Sequence, residues 1–216
     1  MNVGKDMTGA ALRSKYDAVV LAIGATNWRE LPIPGRDAKG VYQAMEYLPW
    51  GNKQALDELP SEPPINAKGK DVVILGGGDT GADCLGTALR QGAKQVLQLE
   101  IMARPPETRS AGNPWPQYNM IYRTSSAHEE GGERIFSVNT ERFVDDGNGN
   151  VRALLIHDVE MVEGRFVKKE GTDSEIPADL VFLAMGFVGP DKGSWLDQLG
   201  VNLDERGNIA RDNEYQ

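Results

Sequence analysis

Apolar residues in this chain fall mostly in short continuous runs, not in one long helical stripe. Val72-Val73-Ile74-Leu75 and Leu180-Val181-Phe182-Leu183-Ala184-Met185 are two of them. Runs of this length suit strands of a sheet covered on both faces. The pattern predicts strands over 71–75, 95–101 and 178–187, and a further buried strand over 16–26 that ends in a small-residue turn. Between 71–75 and 95–101, Ala82, Leu85 and Leu89 recur at helical spacing, and Gly92 stands where a left-handed cap ends a helix. A helix over about 80–90 follows, and with it a right-handed βαβ unit. Val41, Met45 and Leu48 predict a short helix over 41–50. Leu31-Pro32-Ile33-Pro34-Gly35 is extended, and Leu59-Pro60-Ser61-Glu62-Pro63-Pro64 reads as a linker. Further strands are predicted at 135–144, 151–162 and 165–169, with turns at Asp145-Asp146-Gly147-Asn148-Gly149-Asn150 and Glu163-Gly164. The fold class is therefore α/β: a Rossmann-like parallel sheet with an antiparallel β-meander.

The junction of strand 71–75 and helix 80–90 carries Gly76-Gly77-Gly78-Asp79-Thr80-Gly81. This is G-x-G-x-x-G in the strand–turn–helix context that holds a dinucleotide pyrophosphate. Gly76 makes the turn, Gly78 lets the phosphates approach the backbone, and Gly81 lets the helix lie close to the strand. Free N–H groups at the helix start then face the anion. Gly76, Gly77, Gly78, Asp79, Thr80 and Gly81 are the expected pyrophosphate site. Asp79 is expected to cap the helix or meet a ribose hydroxyl, since a carboxylate repels phosphate. The end of the second strand decides between cofactors. Glu100 suits a ribose 2′-hydroxyl and NADH, whereas Arg104 and Arg109 suit the 2′-phosphate of NADPH.

Composition narrows the alternatives. The 216 residues carry a formal net charge of −9 and 40% hydrophobic residues. The charge argues against broad binding to nucleic acid or an anionic membrane. Cys84 is the one cysteine, which excludes an internal disulfide, a cysteine metal cluster and a C-x-x-C disulfide enzyme. It reads as a small core residue. His128 and His157 match no metal spacing, so no metal is expected. No apolar run reaches bilayer length, and a cytoplasmic protein is expected. A methyltransferase would also use a glycine loop, but has no reason to place Arg104 and Arg109 after the second strand. Arg104-Pro105-Pro106 and Asn113-Pro114-Trp115-Pro116 form an excursion expected to be ordered by its aromatics; Trp115 and Tyr118 suit either a subunit contact or ordinary packing. Residues 16–24 and 178–186 share one pattern of Asp, four apolar residues, Ala, apolar, Gly, which suggests two similar nucleotide-binding domains giving one strand each.

Five ordered segments carry a family resemblance: Gly76–Cys84, Glu100-Ile101-Met102-Ala103-Arg104-Pro105-Pro106, Asn113-Pro114-Trp115-Pro116, His128-Glu129-Glu130-Gly131 and Ala184-Met185-Gly186-Phe187. On these the chain resembles the NAD(P)H-binding region of the glutamate synthase small (beta) subunit, a flavoprotein with two dinucleotide-binding domains. The resemblance implies hydride transfer from NADPH to FAD, with NADH possible as donor. It implies a large (alpha) subunit partner in which glutamine and 2-oxoglutarate yield glutamate. No catalytic side chain is named, because the cofactors carry the chemistry. Ala184, Met185 and Gly186 would pass the nicotinamide, and Gly24, Ala25 and Thr26 would lie near the flavin. The implied layout is a partial FAD-domain segment at 1–37, a connector at 38–65, the NAD(P)H-binding domain at 66–190 and a return to the FAD domain at 191–216. The family's cysteine-rich N-terminal segment, its earlier G-x-G-x-x-G and its C-terminal glycine-aspartate motif have no counterpart here. An internal piece that does not hold FAD tightly is therefore expected. A non-catalytic docking module on the same fold is the competing expectation.

Overall fold

The computed structural model describes residues 2–212, Ser194 by its backbone alone. In chain order the elements are α1 (Gly9–Lys15), β1 (Asn27–Trp28), β2 (Val41–Gln43), α2 (Ala44–Ala55), β3 (Asp71–Leu75), α3 (Asp79–Arg90), β4 (Gln95–Glu100), α4 (Ser126–Glu129), β5 (Glu133–Phe136), β6 (Val138–Asp145), β7 (Val151–Val162), β8 (Arg165–Lys168), β9 (Ser174–Pro177), β10 (Leu180–Leu183), β11 (Phe187–Gly189) and α5 (Ser194–Leu199). They divide into two compact units, Met1–Arg29 with Phe187–Gln216, and Glu30–Gly186.

The larger unit is built on a parallel sheet in the order β2-β10-β3-β4-β5. Alternation along β3 assigns its two faces. Val72 and Ile74 pack with Ala44, Tyr47, Cys84, Leu85 and Ala88 of α2 and α3. Val73 and Leu75 pack against Phe143, Leu154 and Ile156 of the antiparallel strands. Helices thus cover one face and the β6–β9 meander the other, so both faces of the sheet bury apolar residues, as the unbroken apolar runs require. Tyr47 stacks on Phe182 with ring centroids 4.0 Å apart, and its hydroxyl donates to Gln91 Oε1 at 2.8 Å.

Several elements differ from the sequence reading. Val41–Gln43 is an edge strand paired with β10, and the helix starts only at Ala44. Parallel pairing and burial of Val41 and Gln43 outweigh the helical spacing. The segment read as a connector therefore contains β2 and α2. The single strand expected at 135–144 is two. Ser137, at φ +59°, breaks it, so that β5 joins the parallel sheet and β6 the meander. The 178–187 run is not one strand: β10 covers Leu180–Leu183, and Phe187 already opens β11. β9, with its exposed, polar start at Ser174-Glu175, carries no apolar run by which to read it.

In the smaller unit, β1 pairs antiparallel with β11, and Thr26 N–H donates to the Gly189 carbonyl at 3.1 Å. The strand expected at 16–26 does not form. Its apolar run finds no sheet partner among the described residues, and Val20 is 88% exposed. The echo between 16–24 and 178–186 is thus one of sequence; only the second copy contains a strand. No helix among the described residues is long and apolar enough to cross a membrane.

Candidate functional site

The order of the parallel strands locates the site. From β3 the chain moves outward to β4 and β5, then returns through the meander to β10 on the opposite side of β3. The winding reverses between β3 and β10. In open α/β sheets, ligands bind outside the carboxyl ends of the strands at such a switch point. Three groups of expected residues converge there: the glycine loop after β3, Ala184–Gly186 after β10, and Glu100 at the end of β4.

Each glycine has a separate geometric reason. Gly76, at φ +126°, has the Ala184 carbonyl oxygen 2.2 Å from where a Cβ would stand. Ala184 N–H donates to the Leu75 carbonyl at 2.8 Å, so the two strand ends are locked edge to edge. At Gly81 a Cβ would meet the Gly76 carbonyl at 2.3 Å and Gln98 Nε2 at 2.5 Å, which is the close helix–strand approach the motif predicts. At Gly78 a Cβ would meet nothing within 4 Å. Gly78 is the α3 N-cap in extended backbone with no side-chain cap. The first intrahelical bond into this turn is Ala82 N–H to the Gly78 carbonyl at 3.1 Å. The amides of Gly78, Asp79, Thr80 and Gly81 therefore open on the crevice with no acceptor among the described residues. Asp79 does not cap the helix, because it is the first helical residue and its side chain is exposed. Its carboxylate still lies favourably in the first turn of the macrodipole.

Gly77 plays a different part. Its N–H donates to Glu100 Oε2 at 2.7 Å, and Glu100 Oε1 accepts Met102 N–H at 2.9 Å. The acid expected at the ribose thus also ties β4 to the loop. The carbonyl of the same Gly76–Gly77 peptide accepts from Gln98 Nε2 at 2.8 Å. Gln98 is 1% exposed, and its Oε1 lies 2.9 Å from His128 Nε2. His128 Nδ1 in turn accepts Ser125 N–H at 3.1 Å. This donor pattern fixes the neutral imidazole with its proton on Nε2. Burial, and then the Arg134 charge, lower the His128 pKa below its ordinary value. Gln98 is not among the residues expected from the glycine motif; the signal for it is a glutamine within the apolar run Val96-Leu97-Gln98-Leu99.

The two expected 2′-phosphate ligands are placed differently. Arg104 is half exposed, pairs with Glu107 at 2.6 Å and lies over the Tyr122 ring at 4.1 Å. Arg134, which the sequence reading did not single out, lies over the same ring at 4.2 Å and also touches the Tyr122 hydroxyl. Arg109 is spent on its own loop, donating to the carbonyls of Asn113 and Gln117 at 2.8 and 3.2 Å. The Asn113 side chain closes that loop by accepting Met120 N–H and donating to the Tyr118 carbonyl. Polar clamps close this loop, on which Trp115 is exposed, and aromatics order the excursion as well: Tyr118 takes Arg123 over its ring, and Tyr122 takes Arg104 and Arg134 and lies edge-on to Phe136.

Gly24, Ala25 and Thr26 belong to the smaller unit. There Thr26 borders a cleft of about 520 Å³ lined also by Leu12, Val20, Ile23 and Trp195. In the meander, Glu141, His157 and Asp173 come together, but the Lys168 ammonium already bridges the two carboxylates at 2.9 and 2.6 Å. Cys84 is fully buried, and burial raises its pKa, so it offers no thiolate for disulfide exchange.

A reversed parallel sheet, a triple-glycine turn and uncapped amides at one crevice define a dinucleotide-binding α/β protein. The chain belongs to the pyridine nucleotide-disulphide oxidoreductase family, whose profile matches residues 2–216. Over 220 residues it is 60% identical to the glutamate synthase [NADPH] small chain of Mycobacterium tuberculosis, covering 100% of this chain and 45% of that protein. It is 45% identical over 224 residues to the glutamate synthase [NADH] of Schizosaccharomyces pombe, covering 97% of this chain and 11% of that protein. The chain therefore spans less than half the length of either relative. Among solved structures, FprA from Mycobacterium tuberculosis in complex with NADPH shares the fold, with TM-score 0.66 and 18% identity over 98% of this chain and 58% of that one.

Proposed function

We propose that this chain binds the pyrophosphate of a nicotinamide dinucleotide on the α3 N-terminus and serves as the NAD(P)H-binding portion of a glutamate synthase small subunit. One observation carries the reading: four amides, from Gly78 to Gly81, with no acceptor among the described residues, open beside a Gly78 whose missing Cβ leaves clear space. That cradle suits a phosphate-type anion, and its place after a parallel strand favours the diphosphate of a dinucleotide. When bound, the nicotinamide supplies a hydride, for which FAD of the complete protein is the proposed acceptor. The chain's own residues bind and orient. Gly78–Gly81 hold the diphosphate, and Ala184–Gly186 pass the nicotinamide end with their backbone, the Met185 side chain packing against the core. Gly24–Thr26 are assigned to the flavin side. Glu100 both braces the loop and stands where a ribose hydroxyl would meet it. In the complete protein, electrons would pass to a large-subunit partner that forms glutamate from glutamine and 2-oxoglutarate. A cytoplasmic location belongs to the same reading.

Arg104 supports NADPH as the preferred donor. It is the expected arginine whose guanidinium stays on an exposed, stacked platform, with Arg134 on the same ring. Arg109 orders the loop that presents it. Replacing Arg104 by Ala is expected to weaken NADPH binding about tenfold and to leave NADH within about twofold of the parent. Paired calorimetric titrations of the two nucleotides check this; equal losses for both would remove Arg104 from the 2′-phosphate.

A further inference from the structure

The Gly76–Gly77 peptide is held at both ends by side chains of one strand. Its carbonyl accepts from Gln98 Nε2 at 2.8 Å, and its N–H donates to Glu100 Oε2 at 2.7 Å. Residues two apart on a strand point to the same side, so β4 clamps this peptide plane from beneath. The next amides along the chain are those of Gly78 to Gly81, whose direction depends on how that plane is turned. Gln98 can serve only in one orientation, because flipping its carboxamide would point an oxygen at the Gly76 carbonyl. The His128 Nε2–H, 2.9 Å from Gln98 Oε1, selects that orientation. His128 itself is fixed by Ser125 N–H on its other nitrogen.

We infer that Gln98 and His128 are positioning residues for the dinucleotide site: a relay centred on buried Gln98, Ser125–His128–Gln98–Gly76, that holds the glycine-loop peptide plane so that the α3 amides face the diphosphate. Neither side chain touches the nucleotide. The relay explains why a glutamine stands 1% exposed amid apolar neighbours, where an unpartnered carboxamide would be costly. It also gives His128 a task on the neutral imidazole alone, which its burial favours. The inference rests on the dinucleotide reading above.

The test is a calorimetric titration of the full chain with NADPH, at a pH where His128 is neutral, for the parent and three variants. Gln98→Leu removes the clamp and is expected to weaken binding about tenfold. His128→Gln places an amide N–H near the position of Nε2 and is expected to bind within about twofold of the parent. His128→Asn is too short to reach Gln98 and is expected to match Gln98→Leu. Melting temperatures run alongside, and should Gln98→Leu not fold, the two half-buried His128 variants decide the matter. Equal affinities for the Gln and Asn variants, or a folded Gln98→Leu that binds like the parent, overturn the relay. A parent chain that takes up neither NADPH nor NADH overturns the dinucleotide reading itself, and the relay falls with it.

Discussion

Gly78→Asp is expected to leave the fold as stable as the parent and to abolish nicotinamide-nucleotide binding. Gly78 is the α3 N-cap, in extended backbone open to every residue, and a Cβ there meets nothing within 4 Å. Aspartate is among the preferred N-cap residues, and its carboxylate would accept from the Thr80 or Gly81 amide. Stability is expected to stay within about 0.5 kcal/mol of the parent, since capping is partly offset by the neighbouring Asp79 charge. The same carboxylate would occupy the amides assigned to the diphosphate and repel it, so affinity is expected to fall at least about 100-fold. Urea unfolding and calorimetric titration measure the two effects separately. Gly78→Asn gives an uncharged cap and is expected to lose less affinity. Full binding by Gly78→Asp would place the nucleotide elsewhere.

Gly76→Ala should behave in the opposite sense, failing in the fold before binding can be asked. Its φ of +126° is strained for any side chain, and the added Cβ would stand 2.2 Å from the Ala184 carbonyl oxygen and 2.7 Å from its carbon. Both atoms are backbone at the end of a central parallel strand, so neither can step aside. Strain of about 1–3 kcal/mol and a comparable overpacking cost give an expected loss of about 3 kcal/mol or more. Gly149 is the control. It also has positive φ, +83°, but a Cβ there meets nothing within 4 Å. Gly149→Ala is expected to cost only about 1 kcal/mol. Similar urea midpoints for the two variants would show that the β3–β10 edge is looser than the structure has it.

How far the sequence could be read depended on whether a signal was local. The β3–turn–α3 unit was legible because runs, helical spacing and glycines agree there. Gly92, at φ +83°, ends that region as a left-handed cap should. The meander hairpin 151–168 was legible from its turn chemistry at Glu163-Gly164. What stayed hidden required knowledge of partners. Val41-Tyr42-Gln43 becomes a strand only because β10 lies beside it. The break at Ser137 separates two sheets whose existence no single stretch announces. The 16–26 run has the composition of a buried strand but no sheet neighbour among the described residues. Within the site, the glycines could be named in advance. The division of labour among them could not, because Gly77 differs from Gly78 only through a carboxylate 23 residues away. Gln98 and His128 lie 30 residues apart and meet only once β4 and α4 are in place.

The proposed function requires the open amides at the start of α3 to grip the diphosphate of a reduced pyridine nucleotide. Amide-resolved NMR of the chain titrated with NADPH tests it most directly. The largest shifts are expected at the N–H groups of Gly78, Asp79, Thr80 and Gly81, with smaller ones at Ala184–Gly186, and none in the meander strands β8 and β9. Saturable binding that leaves those four amides unmoved would contradict it.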